Sequence, residues 1–331
     1  MYKAGVIGCR GIGVQHATGI TGSDKARLAA ACDLDQNMLD EFSARFPDEE
    51  VVQYQNHREM IEKEQLDIVT VATSDHAHAT LVIDAAEGGA KGIFCEKPLA
   101  TNLADADRMI AACEANDTLL SVDHPRRWWP LWRHAKEQIV DQGVIGPVQH
   151  VISHLNGPRA MLFRNGTHLL DVICYFAGAP PRWVVGDLEA GYEDYTEYRG
   201  DGGHVPETEP GANAYIHFAN GVKGFYAGGS KSTHNHKYVA EIIGTSGRIF
   251  LGGSDEGILY LQDQDPELIT PPAWPVVGIP AAVGELIDVV ADGGQLVSPG
   301  RAGLTVVELI IGILESQQQG NAPIALPLSR D

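Results

Sequence analysis

The fold of this chain is decided near its start, by the stretch Val6-Ile7-Gly8-Cys9-Arg10-Gly11-Ile12-Gly13-Val14-Gln15-His16-Ala17. The residues before it, 2–7, predict a short strand, and a helix from about residue 12 to residue 20 follows the glycine-rich turn. A turn of this kind directs several backbone N–H groups, and the positive end of the helix dipole, at one point. We therefore expect a pyrophosphate to bind there.

The glycine pattern of this turn is incomplete. In the dinucleotide fingerprint G-x-G-x-x-G, Gly8 takes the tight-turn position and Gly13 the helix-packing position. Arg10 stands where the middle glycine normally lets the backbone approach the phosphates. The motif alone is therefore weak, and its context has to support it.

That context is a second strand, predicted for residues 27–32, which ends at Asp33. An acid about 20 residues beyond the turn is placed to accept hydrogen bonds from a ribose diol. Its charge would repel the extra phosphate of NADP and so favours NAD, whereas the Arg10 guanidinium could bind that phosphate. The dinucleotide contacts predicted from this part of the chain are Gly8, Arg10, Gly11, Ile12, Gly13 and Asp33.

Strand-like and helix-like segments alternate as far as residue 122, which predicts βαβ units and a parallel sheet. Beyond it, segments with hairpin signals such as Asn220-Gly221 predict a largely antiparallel sheet. The predicted fold is α/β, with a Rossmann doubly wound parallel sheet followed by an α+β domain. The predicted domains are a dinucleotide-binding domain, 1–122, and a domain for substrate binding and oligomerisation, 123–331.

Three segments of the second half carry more specific expectations. Residues 126–140 are predicted to form a helix that links the domains, and residues 166–177 a second helix ended by glycine and proline. The acidic segment 189–210, rich in glycine and proline, predicts a solvated loop that borders the cleft.

Composition excludes several classes of protein. The 331 residues carry a net charge of −20, which argues against a nucleic-acid partner. The apolar runs are too short to predict a membrane span, and the N-terminus lacks the pattern of a signal peptide. Five cysteines without C-x-x-C spacing predict core thiols in a reducing compartment, and hence a cytoplasmic protein.

Glu96-Lys97-Pro98 directly follows a buried strand, at the edge of the sheet where ligands bind in such folds. A lysine in a cleft needs a partner or a task. Desolvation and a nearby carboxylate would let Lys97 exchange a proton or hold a substrate hydroxyl. The alternative is an exposed lysine in a turn.

A second candidate is the segment from Arg164 to Asp171. If a helix starts near Gly166, then His168 lies in its first turn and Asn165 can cap it. The positive helix end, with Arg164 beside it, disfavours an imidazolium, so His168 would be neutral and able to accept a proton. The alternative is a structural histidine at a helix start.

The sequence lacks the motifs of other common catalytic sites. His76 and His78 lack a carboxylate or cysteine partner at ligand spacing, and His234-Asn235-His236 lies near a predicted strand start, as a polar edge rather than a ligand set, so no metal is expected. There is no G-x-S-x-G elbow and no Walker loop, which removes the commonest readings as a serine hydrolase or a nucleoside triphosphatase.

Taken together, these residues resemble the Gfo/Idh/MocA family of NAD(P)-dependent oxidoreductases over nearly the whole chain. The opening turn looks like that of the family, and Phe94-Cys-Glu-Lys-Pro-Leu-Ala100 matches its E-K-P signature, the most specific of these motifs. Thr73-Ser-Asp-His-Ala-His78 is similar to its T-P-N-x-x-H segment, and 126–130 to its arginine-and-proline segment. The resemblance adds these cofactor contacts: Thr73, Ser74, His78, Glu96 and Lys97.

The resemblance also implies a catalytic set, a lysine from E-K-P with an aspartate and a histidine from D-x-G-x-H. Lys97 and His168 match, but Arg164 takes the position of the aspartate. Because an arginine cannot accept a proton yet binds carboxylate or phosphate, we expect a substrate with an anionic group, or chemistry other than plain dehydrogenation. The expected substrate contacts are Arg164, Asp171 and Arg127.

The expected function is an oxidoreductase that passes hydride between the nicotinamide of NAD, or of NADP, and a carbinol carbon of a sugar, sugar acid or inositol. One alternative is a redox-neutral lyase or glycosidase-type enzyme of the same fold that retains NAD. Another is a non-catalytic regulator that binds a dinucleotide or a sugar. The resemblance further implies a homodimer or homotetramer.

Overall fold

The structure is a computed structural model, and it describes residues 1–157, 160–202, 204–228 and 236–330. Within these ranges the strands form a six-stranded sheet and a nine-stranded sheet. The six-stranded sheet is wholly parallel, and the nine-stranded sheet is mostly antiparallel. The predicted fold class is confirmed.

The chain divides into two compact units, and both are discontinuous in sequence. The first unit comprises Met1–Trp128 with Pro275–Leu304, and the second comprises Trp129–Trp274 with Thr305–Asp331. The sequence analysis placed one boundary after residue 122. It did not foresee that a later segment returns to the first unit.

The first unit carries the parallel sheet, in the order β3-β2-β1-β4-β5-β6. Its strands are β1 (Tyr2–Ile7), β2 (Ala26–Cys32), β3 (Val52–Tyr54), β4 (Ile68–Val71), β5 (Gly92–Cys95) and β6 (Leu119–Val122). Its helices are α1 (Gly11–Thr21), α2 (Gln36–Arg45), α3 (His57–Glu64), α4 (His78–Glu87) and α5 (Leu103–Ala115).

The central strands explain why this sheet is parallel. Every residue of β4 and of β5 is buried, which is the pattern of strands covered by helices on both faces. The carboxyl ends of β1, β2, β4 and β5 meet at one edge of the sheet. The residues that follow those ends include Gly8, Asp33, Thr73 and Glu96.

The second unit carries the mixed sheet, in the order β14-β13-β12-β11-β7-β10-β9-β8-β15. Its elements, in chain order, are α6 (Pro130–His134), β7 (Val148–Leu155), α7 (Thr167–Ala177), β8 (Pro181–Leu188), β9 (Ala212–Phe218), β10 (Lys223–Ala227), β11 (Tyr238–Gly244), β12 (Gly247–Gly252), β13 (Glu256–Leu261), β14 (Glu267–Leu268) and β15 (Ile324–Ala325). Helix α7 packs closely on β10, because a Cβ on Gly224 would lie 2.5 Å from the Ile173 side chain.

Two more helices complete the chain, α8 (Ile279–Asp292) and α9 (Gly300–Gln318). Helix α8 belongs to the first unit and packs on α1. A Cβ on Gly19 of α1 would lie 2.7 Å from the Pro280 carbonyl oxygen, so the contact requires a glycine at this position. Helix α9 begins in the first unit and ends in the second.

The single helix expected over residues 126–140 is wrong in detail. The segment contains a 3₁₀ turn at Pro125–Trp128, the short α6 and a π-helical turn at Ala135–Val140. Pro130 has no backbone N–H and disfavours a helical conformation at Trp129, which is extended. The proline therefore separates the first turn from α6.

The expectation of a solvated loop at 189–210 is also wrong in part, because four described residues of the loop are buried, among them Tyr195 and Glu209. Tyr195 is 3% exposed and Glu209 is fully buried. The Tyr195 hydroxyl accepts a hydrogen bond from the backbone N–H of Arg199 at 3.0 Å, and the Tyr198 ring packs against Phe163 at 4.8 Å. The loop therefore has its own buried anchors.

All five cysteines are free thiols, and four of them are buried, as expected of core thiols, whereas Cys174 is partly exposed. Burial, and the neighbouring Asp33 carboxylate, raise the pKa of both Cys9 and Cys32 to about 12. In the part of the chain that the structure describes, no helix is both long enough and apolar enough to cross a membrane.

Candidate functional site

The glycine turn after β1 has the geometry that the fingerprint predicts. Gly8 has a φ of +94°, and a Cβ there would lie 2.3 Å from the Ala72 carbonyl oxygen. A Cβ on Gly13 would lie 1.8 Å from the Gly8 carbonyl oxygen. Both distances are far inside van der Waals contact, so neither position accepts a side chain without movement of the backbone.

Arg10 is tolerated in place of the middle glycine because its backbone is extended, with φ −80° and ψ −174°. It directly precedes α1, and no described side chain caps the first turn of that helix, which also lacks acidic residues. The first N–H groups of α1 are thus left for a ligand. A Cβ on Gly11 would meet nothing within 4 Å, which leaves space above the turn.

Asp33 is held with its carboxylate fixed by the backbone. One oxygen accepts the N–H of Cys9 at 2.9 Å, and the other accepts the N–H of Asp35 at 3.1 Å. The first bond ties the carboxylate to the glycine turn. This arrangement fits a carboxylate that binds a ribose diol beside a pyrophosphate.

A cavity of about 520 Å³ opens at this edge of the sheet. Five predicted cofactor contacts line it: Gly8, Arg10, Asp33, Thr73 and Ser74. Leu34 and His57 line it too, and the sequence analysis did not single them out. The donor groups, the carboxylate and the apolar wall together fit a dinucleotide.

His57 reaches this cavity from the first residue of α3. Its Nε2 lies 2.7 Å from the Asp84 carboxylate, to which Arg58 donates at 2.8 Å. Burial raises the pKa of Asp84, but the hydrogen bonds from Arg58 and His57 outweigh it, so the pKa lies below its usual value. Asn56 caps α3, which is a signal for the helix but not for the cavity.

Unlike the five predicted cofactor contacts that line the cavity, His78 lies in the protein interior. It is fully buried, with Nδ1 2.9 Å from the Pro98 carbonyl oxygen and Nε2 3.4 Å from that of Thr73. It therefore connects the loop after β4 with the loop that carries Lys97. The structure thus indicates that His78 helps to hold the two loops in place.

Lys97 follows β5 and is half-buried, and its neighbour Glu96 is buried beside His16. Within the described ranges, one group of histidine and acidic side chains has ligand atoms close enough to hold a metal: His16, Glu96 and Asp123. Of the histidine pairs examined in the sequence, His234 lies outside the described residues. His236 lies 2.5 Å from the Glu256 carboxylate.

The helix that carries His168 begins earlier than the sequence predicts. A π-helical turn at Leu162–Gly166 leads directly into α7, so Arg164 lies inside the turn and Asn165 does not cap the helix. The buried Glu209 carboxylate takes that role, because one of its oxygens accepts the N–H of Phe163 at 2.9 Å and that of Arg164 at 3.1 Å. This capping residue lies far away in sequence.

The Arg164 side chain is half-buried, and its guanidinium donates to the Gly202 carbonyl oxygen. Gly202 belongs to the acidic loop 189–210. Arg164, which takes the position of the family's aspartate, therefore connects the turn before α7 to that loop. The sequence analysis predicted a substrate contact at Arg164 and did not foresee this bond.

Around His168 the second unit gathers polar groups that the motifs did not indicate. The imidazole is 8% exposed and meets the Tyr238 ring edge-on at 5.5 Å. The Asn165 side-chain oxygen accepts from the Tyr238 hydroxyl at 3.4 Å and from the Lys237 ammonium at 3.3 Å. Tyr238 is the first residue of β11 and Lys237 directly precedes it, so only the fold brings them here.

The remaining predicted substrate contacts are both buried. Asp171 is fully buried in α7. Arg127 is 7% exposed, and its guanidinium donates to the Val297 carbonyl oxygen in the same unit. Gly166 is required by packing, since a Cβ there would lie 2.6 Å from the Tyr226 hydroxyl.

Comparison with known proteins shows the family of this chain. Residues 2–124 match the family described as "Oxidoreductase family, NAD-binding Rossmann fold", and residues 132–250 match the "GFO/IDH/MocA C-terminal domain". The chain belongs to the Gfo/Idh/MocA family. The resemblance inferred from the sequence is thereby confirmed.

Individual relatives within the Gfo/Idh/MocA family differ in their chemistry. The myo-inositol 2-dehydrogenase of Thermotoga maritima is 30% identical over 273 residues, which is 79% of this chain and 78% of the relative. The 2,7-anhydro-N-acetylneuraminate hydratase of Mediterraneibacter gnavus is 35% identical over 137 residues, 37% of this chain and 36% of the relative. The relatives of this chain therefore include dehydrogenases and a hydratase.

Solved structures show the same Gfo/Idh/MocA fold. The WlbA dehydrogenase of Bordetella pertussis, in complex with NADH and UDP-GlcNAcA, superposes with a TM-score of 0.79 at 21% identity. The match covers 99% of both chains. At this identity it establishes the fold of both units.

Proposed function

We propose that this protein is an NAD-dependent dehydrogenase that moves hydride between nicotinamide and a carbinol carbon of a sugar, sugar acid or inositol. The observation that carries the proposal is the position of Lys97, which follows β5 at the sheet edge that also opens the cavity of Gly8 and Asp33. Steady-state assays over neutral and acidic sugars and inositols, with NAD+ and NADP+ in parallel, test it. The myo-inositol relative favours including inositols.

Bound nicotinamide supplies the acceptor or donor of hydride. The residues of this chain handle the proton of the same carbinol group. The Lys97 ammonium donates a hydrogen bond to the substrate oxygen and stabilises negative charge that develops on it. His168 accepts the hydroxyl proton during oxidation and returns it during reduction.

The cofactor preference follows from Asp33, whose fixed carboxylate disfavours the extra phosphate of NADP. Replacing Asp33 with Asn keeps an acceptor for the Cys9 N–H but removes the charge. We expect the ratio of kcat/KM for NADP+ over NAD+ to rise about tenfold, which corresponds to about 1.4 kcal/mol. Asp35→Ala is the control, because Asp35 caps α2 and does not line the cavity. An unchanged ratio in Asp33→Asn contradicts the assignment.

Arg164 supports a substrate with an anionic group, because its planar guanidinium suits a carboxylate. In Arg164→Ala we expect KM for an acidic sugar to rise about 10-fold or more, and that for its neutral counterpart far less. If Arg164 served only to hold the loop through Gly202, both KM values would rise alike. Arg199→Ala is the matched control, since Arg199 pairs with Asp194 in the same loop.

A redox-neutral reaction is the second candidate, and the hydratase among the relatives favours it. Such an enzyme oxidises its substrate transiently by passing a hydride to a retained cofactor, eliminates a group, and then returns the hydride from the reduced cofactor to the product. Release of a leaving group without net change in nicotinamide distinguishes it from a dehydrogenase. A non-catalytic regulator is the third candidate, and turnover that depends on Lys97 would dismiss it.

A homodimer or homotetramer in the cytoplasm stays a prediction. The open face of the second sheet supports an oligomer. The rings of Tyr215 and Phe225 stack on this face with their centroids 5.1 Å apart, beside a cavity of about 520 Å³. Phe225 is 37% exposed. The molecular mass measured by light scattering decides the oligomeric state.

A further inference from the structure

Two carboxyl groups and an imidazole lie together in the interior of the first unit. His16 comes from α1, Glu96 follows β5 and Asp123 follows β6. Their exposed fractions are 0%, 8% and 1%, and one ligand atom from each lies within 4.8 Å of the others. Backbone hydrogen bonds fix two of them, from Glu96 N–H to the Val71 carbonyl at 3.0 Å and from Asp123 N–H to the Cys95 carbonyl at 2.9 Å.

This cluster is short of hydrogen bonds if both acids are ionised. Among the described residues, Oε1 of Glu96, Oδ1 of Asp123 and both ring nitrogens of His16 are buried without a hydrogen-bond partner. His16 Nε2 lies 3.5 Å from Glu96 Oε1. Two carboxylates can only accept hydrogen bonds and repel each other in a desolvated site. One proton between them turns that repulsion into a hydrogen bond.

The charges that face the pair decide where the proton lies. Lys97 acts on the pair from the same loop and Arg126 from the turn after β6, while the negative charge of Asp75 acts on the neighbouring Cys95. Burial raises the pKa of Glu96, but the neighbouring His16 and Asp123 side chains and the charge of Lys97 outweigh it and lower the pKa to about 2. Burial and the Glu96 charge raise the pKa of Asp123 well above its ordinary value.

We propose that Glu96 and Asp123 hold a single proton between them, carried by Asp123, and that this pair, closed off by His16, positions the Lys97 ammonium. Asp123 and His16 are thus positioning residues that act through Glu96. The positioning role rests on the proposed function of Lys97, whereas the shared proton does not. A divalent metal in the cluster would face the positive charges of both Lys97 and Arg126, which disfavours it.

Matched amide variants separate the two acids. Asp123→Asn still offers a donor to Glu96, so it recovers most of the kcat/KM that Asp123→Ala loses. Glu96→Gln removes the charge beside Lys97 and lowers kcat/KM about 10- to 100-fold, the loss expected for a charged hydrogen bond. If the Glu96→Gln and Asp123→Asn variants had equal kcat/KM values, the role of the Glu96–Asp123 pair in positioning Lys97 would be overturned.

The pH dependence of stability distinguishes the acids with opposite signs. The unfolded chain gives up the Asp123 proton above about pH 3.8 while the folded chain keeps it, so the folded state loses relative stability as pH rises. The Tm of Asp123→Asn minus that of the wild type therefore grows from pH 5 to pH 8. Glu96 contributes stability above about pH 4.5 that is lost as pH falls toward about 2, so the deficit of Glu96→Gln shrinks in acid.

Infrared difference spectroscopy of the purified wild type and Asp123→Asn at mildly alkaline pH tests the shared proton directly. We expect a carbonyl band of a protonated carboxylic acid in the wild type and its loss in the variant. Absence of the band overturns the proposal, and so does a rise of the wild-type Tm with Mg²⁺, Mn²⁺ or Zn²⁺ that Asp123→Asn lacks. If the band is present but Lys97→Ala is fully active, the proposed function fails while the shared proton stands.

Discussion

Alanine in place of Lys97 lowers kcat/KM about 100- to 10,000-fold, the range typical of removing a group that handles a proton in the transition state. We expect the loss to fall mainly on kcat, because Lys97 is proposed to act on the carbinol oxygen, whereas the turn after β1 and Asp33 are proposed to hold the dinucleotide. Steady-state kinetics and titration with NAD+ measure the two effects separately.

Lys91→Ala is the matched control for this variant. Lys91 directly precedes β5, at its opposite end, and pairs with the Asp67 carboxylate at 2.9 Å, with its side chain 57% exposed. Its loss removes the same charge from the same sheet without touching the proposed site. Equal kcat/KM values for Lys97→Ala and the wild type would remove Lys97 from the mechanism.

Gly13→Ala both destabilises the first unit and weakens dinucleotide binding. The added Cβ would lie 1.8 Å from the Gly8 carbonyl oxygen, so α1 has to move away from β1. We expect a loss of about 1–3 kcal/mol or more in the free energy of unfolding, as for other overpacked sites. The turn that binds the pyrophosphate shifts with the helix, so NAD+ affinity falls as well. Thermal unfolding and calorimetric titration measure both.

Gly11→Ala is the control for the effect on stability. Gly11 lies in the same turn, but a Cβ there would meet nothing within 4 Å. Alanine also favours the helix that begins at this residue, so the free energy of unfolding should stay equal or rise slightly. If Gly13→Ala unfolded at the same temperature as Gly11→Ala, the close packing described for Gly13 would be wrong.

The sequence predicted those parts of the fold and site that depend on local signals. Gly8 and Gly13 stand in a short motif between a strand and a helix, and Asp33 follows the next strand, so their proximity needs only the rules of parallel sheets. The position of Lys97 close after a buried strand was predicted in the same way, while its role stays a proposal. The same alternation predicted that the first sheet is parallel, whereas the order of its strands comes from the structure.

Other features depend on contacts between distant parts of the chain. Glu209 caps the helix turn at Phe163 and Arg164, and nothing in an acidic loop indicates that one of its carboxylates is fully buried. The partner of Glu96 is Asp123, which lies next to it only because β5 and β6 are neighbours. Local patterns fix neither pairing, since each depends on the packing of whole elements.

The absorbance of reduced nicotinamide tests the central claim most directly. The purified protein is mixed with NAD+ and with each of a set of inositols, neutral sugars and sugar acids, and Lys97→Ala is assayed beside it. The account predicts a steady rise in absorbance with at least one of these substrates and its loss in the variant. Release of a leaving group without any net rise would contradict it, and so would a rise that Lys97→Ala retains.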